Sequence, residues 1–235
     1  MKHLSLIVSA LVLLAGPATA GPIWHSINLS VSPADAPKVV AALDVLIRST
    51  GDSLTGSVSL MSYVASGEGS TSHNIISSFE SRAAAESWTQ SLFKSDAWKK
   101  YAKATDGLTR LEGTARMNFV KTWGKDDPAD VFWEIYAFDV SDPPGFVAAI
   151  DRLMESDAGK ASPASVYLSE VAAAGIAPIT HIISVGYNSE AEAESSSATL
   201  TATRDWAKYI EAAEKAAENK GAYMMRTIKA WGTVE

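Results

Sequence analysis

Residues 72–124 align with residues 180–232 without a gap at an offset of 108, and 17 of the 53 pairs are identical. They include His73 with His181, Ser81 with Ser189, Trp98 with Trp206, Tyr101 with Tyr209, Lys121 with Lys229, and Trp123-Gly124 with Trp231-Gly232. Upstream, Val40-Ala41-Ala42-Leu43-Asp44 pairs with Val147-Ala148-Ala149-Ile150-Asp151, and Trp24 pairs with Trp133. Self-similarity at one spacing means one structural unit read twice. Repeat 1 spans residues 21–127 and repeat 2 spans 128–235, joined at the charged, proline-containing stretch Lys125-Asp126-Asp127-Pro128.

Hydrophobic periodicity gives the same element order in each repeat. Ile23, Ile27, Leu29 and Val31 alternate with polar residues as in a half-buried strand, and Phe132, Tyr136, Phe138 and Val140 repeat the pattern. Pro33–Arg48 and Pro143–Glu155 carry apolar residues at helical spacing, with Ser32 and Ser141-Asp142 as caps. Strands are predicted at Ser57–Ala65 and Ser72–Phe79, and again at Ser165–Ala173 and Thr180–Tyr187, with Gly67-Glu68-Gly69 and Gly175 at the turns. A long helix follows from Ser81 or Ser189, the second with a capping box to Glu192. A last strand covers Ala115–Trp123 or Ala222–Trp231. Strand, helix, strand, strand, helix, strand is the split βαβ plan of a ferredoxin-like unit. The expected class is therefore α+β: two tandem ferredoxin-like (βαββαβ) repeats. One copy leaves an apolar sheet face that the other can cover.

Composition removes several functions. With 47% hydrophobic and 20% charged residues the chain can build a core, which excludes disordered and collagen-like classes. A net charge of −7 without a dense basic run argues against nucleic acid as a partner. Lys2, the apolar stretch Leu4–Ala15 and Ala18-Thr19-Ala20 read as a secretory signal peptide over residues 1–20, too short in its apolar run for a membrane anchor. The mature protein is expected to be soluble, periplasmic or secreted, without a membrane anchor. Having no cysteine, it relies on its core alone for stability. Further oligomerisation through sheet edges is compatible with this plan.

The element order, together with Lys94-Ser95-Asp96-Ala97-Trp98-Lys99-Lys100-Tyr101 on the second helix, resembles the dimeric α+β barrel superfamily, and antibiotic biosynthesis monooxygenase-like domains within it. The resemblance implies an intramolecular barrel made by the two repeats. Its members include cofactor-independent monooxygenases, small-lactone isomerases, stress-induced proteins and tandem haem enzymes, so function must come from a site.

Candidate site residues follow from alternation. His73 and His181 each stand at the start of an apolar strand face, where an imidazole can act as a general base or axial ligand, or serve as a hydrogen-bonded structural group. Lys121 and Lys229 lie on the last strand beside Trp123 and Trp231. There they can hold an anionic ligand or extend their ammonium groups into water, with the tryptophans as ligand platforms or core. His25 has no histidine counterpart, because Glu134 takes its place. The three histidines lack the spacing of a metal site. Tyr63, Trp88, Trp98, Tyr101, Tyr167, Trp206 and Tyr209 fit helix-on-sheet packing or an apolar pocket equally well. No nucleotide loop, GxSxG elbow, HExxH or cysteine nucleophile is present. The favoured function is binding of a small apolar or aromatic molecule without a tightly held cofactor. The alternatives are a cofactor-independent monooxygenase or isomerase with His73 or His181 as base and, behind it, a haem enzyme. The sequence leaves open whether the protein is an enzyme.

Overall fold

The computed structural model describes residues 21–65, 70–125, 127, 129–174 and 178–232. Residues 1–20, read from the sequence as a signal peptide, and the expected turns at Gly67-Glu68-Gly69 and Gly175 lie outside the described residues. Repeat 1 runs β1 (Ile23–Val31), α1 (Ala36–Arg48), β2 (Gly56–Ala65), β3 (His73–Phe79), α2 (Arg82–Lys94), α3 (Asp96–Ala104) and β4 (Thr109–Gly124). Repeat 2 runs β5 (Phe132–Val140), α4 (Pro143–Glu155), α5 (Asp157–Ala161), β6 (Ser165–Ala174), β7 (His181–Tyr187), α6 (Glu190–Thr201), α7 (Arg204–Ala216) and β8 (Ala217–Gly232). The βαββαβ order holds in both repeats.

The long second helix is broken in each repeat. Ser95 adopts an extended backbone, and its Oγ accepts the Trp98 amide at 3.0 Å, which starts α3 as α2 ends. Thr203 does the same for Trp206 at 3.1 Å before α7. A short hydroxyl that captures a backbone N–H competes with helix continuation. The caps in front of α4 and α6 follow the sequence. Asp142 accepts from Gly145 N at 3.1 Å and Ser189 from Glu192 N at 3.1 Å, while the Glu192 carboxylate accepts from Asn188 N at 2.8 Å.

The last strand of each repeat is longer than its hydrophobic run, because its two halves pair with different partners. The chain forms two compact units: one contains the described residues up to Phe119 and from Thr227 onward, with the end of β6; the other contains Val120–Val171 and β7 through Arg226. Each unit thus takes the end of the other repeat's last strand. In unit 1 the strand order is β8 end, β2, β3, β1, β4 start; in unit 2 it is β4 end, β6, β7, β5, β8 start. Read through β4 and β8, the order is β1-β3-β2-β8-β5-β7-β6-β4. Neighbours are antiparallel where the β1, β3 and β2 registers and the β5, β7 and β6 registers run.

The repeated Trp-Gly pair marks this exchange. Gly124 (φ 78°) and Gly232 (φ 81°) sit in the left-handed region, and a Cβ on either would strike the backbone carbonyl of Ala164 or Gly56 respectively. Gly124→Ala and Gly232→Ala should each destabilise the protein by more than about 1 kcal/mol, because both conformation and contact exclude a side chain. Urea midpoints equal to the unsubstituted protein's would contradict this account.

Each unit has its own core beneath its helices. On α1, Val39, Leu43, Leu46 and Ile47 recur at helical spacing and are buried. With Ile23, Val58, Leu60 and Phe79 they build most of the unit 1 interior. Phe132, Phe138, Phe146, Ile150 and Leu168 do so in unit 2. Burying each such side chain is worth about 1.5–3 kcal/mol.

Candidate functional site

Alternation along β1 and β3 places Ile23, His25, Ile27 and Leu29 beside Phe79, Ser77, Ile75 and His73, pair by pair, on one sheet face. Helices α1, α2 and α3 cover that face. They leave a cavity of about 80 Å³, walled by His25, Ile27, Ile75 and Ser77 from the sheet, Leu43 and Leu46 from α1, Trp88 and Leu92 from α2, and Trp98 and Tyr101 from α3. Trp98 stacks at an angle on Phe93 (4.7 Å) and Tyr101 (5.4 Å), which fixes the helix side of the wall.

Few polar groups face this space. The His25 ring lies 6.2 Å from that of Phe79. Burial first, then the charges of Arg116 and Arg82, lowers its pKa from 6.5 to about 4, so the imidazole is neutral at pH 7. Arg116 faces His25 across the β1–β4 pair and is buried; Arg82, at the start of α2, pairs with Glu86 at 2.8 Å. Burial pushes the Tyr101 hydroxyl up to about 12. The Trp88 indole N–H is buried and without a hydrogen-bond partner.

The lowered His25 pKa makes a prediction with a definite sign. Below pH 6.5 the unfolded chain binds a proton at this ring that the folded protein refuses down to about pH 4. Stability is therefore lost as pH falls through that window, by up to about 3 kcal/mol for this residue. Burial lowers His73 and His181 as well, in the same direction. Urea unfolding at pH 7 and pH 5 should show a smaller loss for His25→Gln than for the unsubstituted chain. Equal losses in the two proteins would mean that His25 is not desolvated.

The matching face of unit 2 is built differently. Glu134 replaces His25 and Tyr136 replaces Ile27, and the Tyr136 hydroxyl donates to Glu134 Oε2 at 3.0 Å. Tyr187 replaces Phe79 and is hydrogen-bonded to Ser196, which stands where repeat 1 has Trp88. Burial raises the Glu134 carboxyl pKa and both tyrosine pKa values. Tyr136, Tyr187 and Tyr209 all belong to the unit 2 core or pack against it.

The residues singled out in the sequence lie elsewhere. His73 Nδ1 is 2.9 Å from Ser72 Oγ, and His181 Nδ1 is 3.1 Å from Thr180 Oγ1. The same two hydroxyls accept the Val31 and Val140 amides, so each histidine is tied into the end of a strand pair. Neither lines the unit 1 cavity. Lys121 Nζ is 2.5 Å from Asp151 Oδ1, which also accepts Trp123 Nε1 at 2.7 Å; Lys229 and Trp231 meet Asp44 Oδ1 at 2.7 and 2.8 Å. Hydrogen bonds from Lys229, then Trp231 and Arg48, hold the Asp44 carboxyl well below the usual carboxylate range. The two lysines thus have carboxylate partners within the protein, and each ammonium also lies over its neighbouring tryptophan. The aspartates were visible only as the matched ends of Val40–Asp44 and Val147–Asp151. Among the described residues, no group of three or more His, Cys, Asp or Glu is placed to hold a metal ion.

No family model matches the chain, and no curated protein does. Solved structures do match. A candidate monooxygenase from Fusobacterium nucleatum superposes with a TM-score of 0.61 at 14% identity, over 90% of this chain and 94% of that one. A candidate monooxygenase from Lactobacillus acidophilus gives 0.60 at 11% identity, over 89% and 95%. The chain has the dimeric α+β barrel fold. A haem-binding protein from Thermus thermophilus shares it at a TM-score of 0.55 and 9% identity, over 91% and 93%. Within this barrel fold the haem-binding neighbour raises the question of a porphyrin. A cavity of about 80 Å³ does not fit one, and the tyrosines fill the matching face of unit 2.

Proposed function

We propose that this protein binds a small apolar molecule between the sheet and the helices of unit 1. The observation that carries this reading is the unit 1 cavity, walled mostly by aliphatic and aromatic side chains, with the neutral His25 imidazole and with Ser77, Thr89 and Thr109 also in its lining. Small-molecule sites are typically apolar concavities with a few fixed polar groups. The volume of about 80 Å³ limits the size. An apolar cavity of about 150 Å³ takes up benzene, so the occupant is smaller than a substituted aromatic ring unless Phe93 and Trp98 move aside.

Monooxygenase chemistry is the second reading, supported by the two candidate monooxygenases of the same fold. In that case the histidine at the reacting molecule is His25 rather than His73 or His181. With a pKa of about 4 it is a weak base at neutral pH and better suited to orienting a substrate by hydrogen bonding. Export completes the proposal: cleavage after Ala20 would release a chain beginning at Gly21.

Native and denaturing mass spectrometry of protein purified from the exported fraction tests these points together. The expected denatured mass is that of residues 21–235, and the expected native spectrum adds a small organic molecule. An added mass equal to haem would overturn the binding reading, and a mass that includes residues 1–20 would overturn export.

A further inference from the structure

His25 and Ser77 are cross-strand neighbours on β1 and β3, and both line the unit 1 cavity. Side chains paired in this way have Cβ atoms about 5 Å apart, so one ligand oxygen can reach both. Neither the His25 ring nitrogens nor the Ser77 hydroxyl is hydrogen-bonded among the described residues. Unlike the sealed Trp88 nitrogen, these atoms are not closed off from contact. The sheet face they stand on is the one that the helices cover, so their free surface lies under the helix layer.

Repeat 2 shows what an acceptor at this place takes. Glu134 and Val185 stand where repeat 1 has His25 and Ser77, and Glu134 Oε2 accepts the Tyr136 hydroxyl at 3.0 Å. Repeat 1 has Ile27 in place of Tyr136, so the equivalent hydroxyl is missing from the protein itself.

We infer that the molecule bound in this cavity is a compact aliphatic alcohol, whose hydroxyl donates to the His25 ring and accepts from Ser77. The inference rests on the proposed function and specifies its ligand class. A neutral imidazole offers one acceptor nitrogen beside one N–H, and a serine hydroxyl can donate. A hydrocarbon would leave both groups unsatisfied, and a ketone would leave the acceptor nitrogen so. Among the described residues the lining includes no Lys, Arg, Asp or Glu, so a carboxylate or an ammonium would shed its water without meeting a counter-charge. The alcohol hydroxyl takes the part that the Tyr136 phenol plays in repeat 2.

The test uses the full chain with three probes of nearly the same shape: cyclobutanol, cyclobutanone and methylenecyclobutane. His25→Phe keeps a ring in place and removes the acceptor. The ratio of alcohol affinity to alkene affinity should fall about tenfold in this variant, the size expected for one buried hydrogen bond. The ratio of ketone affinity to alkene affinity should hardly change there, whereas Ser77→Ala should lower both ratios. In the unsubstituted protein the unprotonated His25 ring nitrogen should shift upfield in nitrogen NMR spectra on adding the alcohol and not on adding the alkene. That measurement decides the matter if His25→Phe fails to fold. An unchanged alcohol-to-alkene ratio, an equal loss for the ketone, or an unmoved nitrogen resonance would overturn the inference while leaving the cavity as a binding site. If none of the three probes binds, the cavity reading falls with it.

Discussion

Phe146→Ala should lower the stability of this protein by about 3–5 kcal/mol, the cost of emptying a large aromatic site in a packed core. Phe146 is fully buried on α4, at helical spacing with Ala149, Ile150 and Leu153. Its ring meets Phe138 of β5 at 5.0 Å and stands edge-on to His181 at 6.5 Å. Little around it can collapse inward, since Phe132, Ile150 and Leu168 are themselves almost fully buried. For a chain of this size each kcal/mol moves the melting temperature by about 2–4 °C, so the midpoint should drop by roughly 10 °C. Val45, on the outer side of α1, is 67% exposed, and Val45→Ala is the control, expected within about 0.5 kcal/mol of no effect. Comparable melting temperatures for the two variants would mean that the unit 2 core is not packed as described.

How legible all this was in the sequence differs from element to element. The strand at Ile23–Val31 and the helix at Pro143–Glu155 could be read to the residue, because a two-residue or a 3.6-residue period depends only on which side of the element is dry. The break at Ser95 was missed. A serine inside an apolar-periodic stretch reads as a neutral helix residue until its hydroxyl is seen to cap the next turn. The full length of β4 and β8 was missed for another reason: their partners change midway, and pairing across the chain leaves no periodic trace. Gly124 and Gly232 were visible as part of an identical Trp-Gly pair, but their φ angles and the carbonyls facing them belong to the folded backbone.

For the site, the duplicated histidines and lysines pointed away from the cavity. His73, His181, Lys121 and Lys229 are duplicated, and the structure gives all four a hydrogen bond or ion pair within the protein, the same in both repeats. Residues that hold a repeated fold together have reason to stay alike in both copies. The cavity is set apart by positions at which the copies differ, His25 against Glu134, Ile27 against Tyr136 and Trp88 against Ser196, while Ile75, Leu92, Trp98 and Tyr101 in its wall are the same in both. The informative signal was the mismatch.

That mismatch supplies the second large prediction. Ile27→Tyr transfers to unit 1 the residue that unit 2 carries at the matching position, where a tyrosine fits between the same strand and the same helix layer and its hydroxyl is taken by Glu134. In unit 1 the new phenol would enter the cavity and meet His25, whose neutral ring can accept the hydroxyl proton. Filling an existing void costs less than forcing a side chain into a packed core, so the variant should stay folded, within about 1–3 kcal/mol of the unsubstituted protein. Uptake of cyclobutanone or any similar apolar molecule should fall below detection. Titration calorimetry on the folded variant gives the answer, with circular dichroism to confirm the fold. Binding that survives Ile27→Tyr unchanged would place the ligand elsewhere on the molecule. Loss of binding with the fold intact would mean that one unit of a duplicated chain holds the ligand, while the other has closed the equivalent space with tyrosines and a buried carboxyl.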